Sequence, residues 1–363
     1  MSATIGAGRM AARSEERLRE ARGPVIAGLA VSHPPLAFSQ RELLGLLGLE
    51  GDEFAEAIFA RTGVRTRRLF VSDESLRSSL QARAPETEEH LLELALAALG
   101  QLDFDPGEVG VLLTAGYWSL GGPTLGHRLM DELGLGPTTD KYHVTGVGCA
   151  SAVPLLRLAG QALRDRPGQG ALVIGAECVS GFMTRSRPGD ERTKTVGSAL
   201  FGDGCGAALL SFGDAPGPGT PQILASAVHQ VPGTLDQVRF AVGEDDSFMH
   251  LGRELPAITE AGLPALVEEF LEPRGLDMSS IDHWLLHPGG RGILEGAQRG
   301  LGLSDDQVEA SAAVLGQYGN TGTASSFFVL RETERMRSPR ADELGLLISI
   351  GPGVTVGLML LSW

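Results

Sequence analysis

A cysteine framed by glycines, lying between a strand signal and a helix signal, constrains this chain more than any other feature. In TGVGCASAVPLLRLAG, Thr145 to Gly160, Cys149 follows Gly146 and Gly148. Lys141 to Thr145 alternates polar and apolar residues like the end of a short strand, and Ala150 to Leu163 carries apolar residues at helical spacing. The sulfur therefore falls at a strand-to-helix elbow. There, unpaired backbone N–H groups and the positive end of the helix dipole favour thiolate over thiol. The two glycines remove side chains from the place where a substrate would approach. The competing reading is a buried structural cysteine.

The rest of the chain alternates strand and helix signals. Before the elbow come a strand at 24–31, helices at 40–49, 52–61 and 87–99, a strand at 108–117 and a helix at 124–133. After it come strands at 170–177 and 206–212, with a turn-rich stretch between them up to Gly204. The run GDAPGPGTP, Gly213 to Pro221, reads as a seam. The pattern then restarts: a strand at 222–230, a segment at 238–251, a helix at 257–271, a strand at 281–287, helices from about 292, near 305 and over 323–336, and strands at 345–350 and 354–361. The expected organisation is a polar leader at 1–23 and two pseudo-duplicated halves, 24–213 carrying the cysteine and 214–363, in one α/β layered fold.

Composition narrows the function. A length of 363 residues with 42% hydrophobic and 21% charged residues fits one large layered unit or two packed domains, and 50 glycines imply many tight turns. A net charge of −15 argues against nucleic acid or an anionic membrane as a general partner. No window approaches the roughly 18 apolar residues of a membrane helix. Cys149, Cys178 and Cys205 are odd in number and lack CxxC spacing, against a disulfide framework or a zinc site, so no metal is expected and a reducing cytoplasm fits. An anionic ligand needs a local basic patch, and Arg61, Arg65, Arg67 and Arg68 in ARTGVRTRRLF form a candidate.

Three more loops resemble site loops. SIDHWLLHPGGRGILEG ends an apolar strand at His287; LGQYGNTGTASSFFVL sets Asn320 between Gly319 and Gly322; SIGPGVTVG places Gly351, Pro352 and Gly353 between two strands. Such junctions are the usual ligand sites of α/β folds. Cysteine, histidine and asparagine together supply a nucleophile, a proton partner and a hydrogen-bond donor. A papain-like hydrolase uses the same chain order, but there the cysteine lies near the mature N-terminus with different neighbours. A carbon–carbon condensing enzyme uses histidine and asparagine to stabilise the enolate left when a malonyl thioester loses CO2. The second chemistry is favoured.

Taken together, GVGCASAVPLLRLAG, LFGDGCGAALL, LLHPGGRGIL, YGNTGTASSFFVL and IGPGVTV resemble the type III polyketide synthases, the chalcone and stilbene synthase-like branch of the thiolase superfamily, from about Pro24 to Trp363. The resemblance implies the five-layered αβαβα thiolase fold, a homodimer, acyl-CoA and malonyl-CoA as substrates with no cofactor, and Cys149, His287 and Asn320 as the catalytic set. It also implies gatekeepers at Phe201 and Met249, CoA phosphate contacts near Arg61 to Arg68, and pocket positions at Tyr117, Trp118, Met183, Phe240 and Gly322. Most of these pocket residues are large, so few extensions and a short pyrone or small phenol are expected.

Two rival readings rest on the same residues. GNTGTAS also resembles the ketosynthase III-like enzymes that act on an acyl carrier protein, although His287 begins HPGG rather than that family's His-Gln-Ala-Asn. A dinucleotide site would need a third glycine where Ser151 stands.

Overall fold

Strands buried on both faces, whose successive side chains join different cores, fix the layers of this protein. The computed structural model describes residues 23–118, 122–186, 192–213, 220–242 and 247–363. Its strands are β1 Val25–Ser32, β2 Ala37–Ser39, β3 Thr66–Arg68, β4 Val109–Ala115, β5 Asp140–Val144, β6 Gly170–Glu177, β7 Gly204–Ser211, β8 Gln222–Gln230, β9 Val238–Val242, β10 Ser247–Leu251, β11 His283–Leu286, β12 Leu344–Gly351 and β13 Thr355–Ser362. Nine of them form one mixed sheet in the order β11-β12-β13-β8-β1-β7-β6-β4-β5, and β1 meets β8 at Val25 and Gln222.

Successive side chains on a strand point to opposite faces, and here both faces are apolar. Val111 and Leu113 of β4 and Val173 of β6 share a core with the helices Ala152–Ala162 and Ser325–Arg337; Leu347, Met359 and Leu361 from the other end of the sheet close the same core. The intervening residues face outward. Leu112, Leu172 and Ile174 meet the helices Leu80–Leu99 and Leu125–Glu132, while Leu346, Ile348 and Leu358 meet Leu255–Leu271 and Arg291–Leu301. The order is helix, strand, helix, strand, helix, as expected. It also explains why β4 and β6 read as unbroken apolar runs rather than alternating ones.

Some elements depart from expectation. The helix read from residue 87 starts at Leu80 and passes through Pro85, because Ser79 caps the Ala82 N–H at 3.1 Å and Leu80, Arg83 and Thr87 are buried. The turn-rich stretch before Gly204 contains a helix, Arg192–Leu200. Its threonines and glycine give it little intrinsic propensity, so packing holds it. The segment at 238–251 is the antiparallel pair β9–β10, which sets Met249 opposite Phe240. The leader, apart from Gly23, and residues 214–219 of the seam lie outside the described residues.

Candidate active site

Cys149 sits in a short 3-10 turn, Gly148–Ala150, that leads into the helix Ala152–Ala162. Its thiol donates to Oδ1 of Asn320 at 3.7 Å. The same oxygen accepts from the Gly322 N–H at 2.9 Å and from the Ser325 hydroxyl at 3.0 Å. A backbone N–H can only donate, so these contacts commit Oδ1 inward and leave the amide Nδ2 as the donor not used there. Asn320 is fixed by its backbone too, since its N–H donates to Leu200 O and its carbonyl accepts from Gly202 N–H, both at 3.0 Å. That bridge ties the Asn320 loop to Phe201.

His287 follows β11, with its backbone N–H held by Ile348 O at 2.9 Å. It lines the same cavity as Cys149 and Asn320, together with Gly351 and Pro352. Among the described residues its Nδ1 has no hydrogen-bond partner. Three loops widely separated in sequence thus converge on one chamber.

The electrostatics differ from the elbow argument. Burial, reinforced by the Glu177 carboxyl, pushes the Cys149 thiol up to about 12 despite the opposing Asn320 contact. Burial pulls His287 down to about 3. Without ligand, therefore, the pair is thiol and neutral imidazole, not thiolate and imidazolium. Desolvation outweighs the helix end because the turn stands between Cys149 and the first residue of the helix. The space freed by Gly148 is also taken: a Cβ there would fall 2.3 Å from the Tyr117 hydroxyl.

Glu177, which the sequence reading did not single out, forms part of the cavity wall. It is buried, accepts from the Thr323 hydroxyl and from the Tyr117 N–H, the latter at 3.2 Å, and burial raises it to about 7. Its signal was available as a lone carboxylate ending an apolar strand. Phe182 was missed by one position: it lines the Cys149 cavity, whereas Met183 lies in the next chamber.

The cavity is about 50 Å³. Phe240 packs between Tyr117 and Phe182 on one side, with ring centroids 4.8 Å from Tyr117 and 5.0 Å from Phe182. Phe201, Met249 and Gly322 also line it. A Cβ at Gly322 would fall 2.8 Å from Glu177 Cγ, so that glycine makes room for the carboxylate rather than for ligand. Trp118 packs tilted behind Phe182, ring centroids 4.4 Å apart, and does not line the cavity, nor does Gly353.

The basic segment is not a single patch. Arg67 is fully buried, donates to the Phe201 carbonyl at 3.0 Å and to Gln40 Oε1 at 2.8 Å, and burial lowers it to about 9. It is a structural residue, which corrects the expectation that it meets CoA phosphates. Arg68 donates to the Pro35 carbonyl at 2.6 Å, and Arg65 lies against Gly316. Of the four, Arg61 alone lines the open cavity of about 740 Å³ that adjoins the Cys149 chamber, where Arg192, Arg253 and Arg291 join it. Leu251, Leu255, Gly289 and Ile293 line both spaces. Among the described residues no cluster is placed to hold a metal ion, and no helix is long and apolar enough to cross a membrane.

Residues 38–262 match the family described as FAE1/type III polyketide synthase-like protein, and residues 222–362 match the C-terminal domain of chalcone and stilbene synthases. The alpha-pyrone synthesis polyketide synthase-like Pks18 of Mycobacterium tuberculosis is 29% identical, covering 93% of this chain and 90% of that protein. A 3,5-dihydroxyphenylacetyl-CoA synthase of Amycolatopsis balhimycina is 27% identical, covering 93% and 92%. The crystal structure of PKS-I from the brown alga Ectocarpus siliculosus matches with a TM-score of 0.84 at 27% identity, covering 94% of this chain and 98% of that one.

Proposed function

Because this chain belongs to the type III polyketide synthases, acyltransferase-class enzymes that form carbon–carbon bonds, we propose that Cys149 carries the acyl group and that His287 and Asn320 serve both acyl transfer and condensation. In loading, the neutral His287 imidazole takes the thiol proton as sulfur attacks the thioester carbonyl, and CoA leaves as its thiol. Burial disfavours the resulting ion pair until a carbonyl occupies the chamber to share the developing charge. In extension, malonyl-CoA loses CO2, and the enolate oxygen is held by Asn320 Nδ2 and by a ring N–H of His287, which is neutral again once its proton has left with the CoA thiol. The enolate carbon attacks the acyl carbonyl, a carbon–carbon bond forms, and the Cys149 thiolate leaves.

One observation carries this reading: Cys149, His287 and an Asn320 amide whose oxygen is already committed line one chamber. The adjoining cavity with Arg61, Arg192, Arg253 and Arg291 supports CoA rather than a carrier protein as the vehicle. The small aromatic-walled chamber supports a short pyrone or small phenolic product, and the relatives named for alpha-pyrone and dihydroxyphenylacetyl-CoA synthesis favour the same size class. Assembly as a homodimer is supported by β5, an edge strand on which Tyr142 is 48% exposed. Residues 24–213 and 214–363 form the two halves, consistent with the strand order. Three free cysteines suit a cytoplasmic enzyme needing no cofactor.

Incubation with a panel of acyl-CoAs plus malonyl-CoA, with products read by mass, tests the proposal. Decarboxylative chain extension is expected. CoA release without any carbon–carbon bond formation across the panel would reject it.

A further inference from the structure

Tyr117 stands over the peptide that carries the nucleophile. A Cβ on Gly148, the residue before Cys149, would fall 2.3 Å from the Tyr117 hydroxyl oxygen, so that oxygen packs against the turn that presents the sulfur. The residue is held from two sides: its backbone N–H donates to Glu177 at 3.2 Å, and its ring centroid lies 4.8 Å from that of Phe240. Tyr117 lines the Cys149 chamber, yet among the described residues its hydroxyl makes no hydrogen bond. Burial, and after it the charge that a Cys149 thiolate would bring, hold this hydroxyl well above the ordinary tyrosine value, so it stays protonated and able to donate.

Chain extension calls for such a donor. Two oxygens carry charge in the condensing step: the enolate oxygen derived from malonyl-CoA, and the acyl carbonyl oxygen as its carbon becomes tetrahedral on sulfur. Asn320 Nδ2 and the His287 ring N–H serve the first. Donors engaged on the enolate are not free for the second oxygen, which needs donors of its own. That second oxygen belongs to the carbon bonded to Cys149 Sγ, so it develops its charge beside the Gly148–Ala150 turn, where the Tyr117 hydroxyl lies.

We propose that the Tyr117 hydroxyl donates a hydrogen bond to the carbonyl oxygen of the acyl group on Cys149, as a further catalytic residue of both half-reactions. This rests on Cys149 being the acyl acceptor. In loading, sulfur attacks the thioester carbonyl and the π pair moves onto oxygen. Tyr117 holds that oxygen and keeps its own proton. The pair then returns, and CoA leaves with the proton that His287 took from the thiol. In extension the enolate carbon attacks the same carbonyl, the same oxygen gains and loses charge, and the Cys149 thiolate leaves. The ring of Tyr117 shapes the chamber, while its hydroxyl acts on the reacting carbonyl.

Tyr117→Phe removes the oxygen and keeps the ring. Single-turnover acylation of Cys149 by saturating hexanoyl-CoA, followed by intact-protein mass, should slow roughly tenfold or more in this variant, the loss expected for one hydrogen bond to a charged oxygen. Alkylation of Cys149 by iodoacetamide displaces iodide and forms no oxyanion, so its rate should be unchanged. The readout is the ratio of acylation to alkylation within each protein, which a mere shift in packing around the sulfur would leave as it is. Acylation at the unaltered rate would overturn the assignment. So would a loss of alkylation equal to the loss of acylation, because it would trace the effect to the thiol rather than to the carbonyl oxygen. Either result leaves Cys149 as the acyl acceptor. Failure of hexanoyl-CoA and of other simple acyl-CoAs to load the unaltered protein would overturn the underlying reading as well.

Discussion

The Cys149 thiol and the Asn320 side chain are 3.7 Å apart, and the oxygen that receives the thiol is the one already pinned by the Gly322 N–H at 2.9 Å. Asn320 is therefore oriented before any substrate arrives, with its amide nitrogen as the remaining donor. Asn320→Ala should lower malonyl-CoA decarboxylation by roughly 10²-fold or more, the usual cost of losing one oxyanion donor. Acyl loading should fall less. Equal losses in both half-reactions, measured by CO2 release and by acyl-enzyme mass, would assign Asn320 a merely structural part.

Reactivity of Cys149 should depend steeply on pH. With the thiol raised to about 12, the thiolate fraction is small at neutral pH and grows about tenfold per pH unit. Alkylation of the ligand-free protein by iodoacetamide should rise log-linearly from pH 6 to pH 9 without a plateau; a preformed thiolate–imidazolium pair would instead give a plateau through neutrality. Glu177→Gln removes one cause of the raised value, so its alkylation at pH 8 should be faster. An unchanged or slower rate in that variant would contradict the placement of the Glu177 charge.

The aromatic side of the chamber should set product length. Phe240→Ala and Phe182→Ala both open the wall, and each should yield products longer by one or more two-carbon units, visible by mass. Phe182 is 6% exposed, so its loss should also cost about 3–5 kcal/mol of stability. Unchanged products from both variants would show that something other than this wall ends extension.

The arginines should divide into two classes. Arg67→Met should destabilise the fold by several kcal/mol, because it breaks a buried network, yet leave the KM for CoA thioesters near its starting value. Arg291→Ala should raise that KM about five-fold with little change in melting temperature. Reversal of the two phenotypes would return Arg67 to the ligand.

These divisions show how far the sequence is legible. Glycine-rich junctions bring Cys149, His287 and Asn320 to mind because turns of that kind recur at strand ends, and the five layers follow from long apolar runs broken by such turns. The side of an irregular segment on which a residue faces is not written in period or composition. Residues 178–186 lie in a short turn and an extended stretch, so Phe182 and Met183 exchange places with a register error of one. Arg67 reads like its three neighbours, and only β3 pairing against β2 carries it inside while Arg61 stays at the open cavity. Glu177 escapes notice because a carboxylate ending a strand is usually solvated, and its burial depends on Thr323, 146 residues away, and the adjacent Gly322 folding over it.

The most direct measurement is to map the acyl adduct after brief exposure to an acyl-CoA, by intact-protein mass followed by peptide sequencing. One acyl group per chain on the peptide containing Cys149, absent in Cys149→Ala, is the predicted result. An adduct on Cys178 or Cys205, or undiminished labelling of Cys149→Ala, would contradict it.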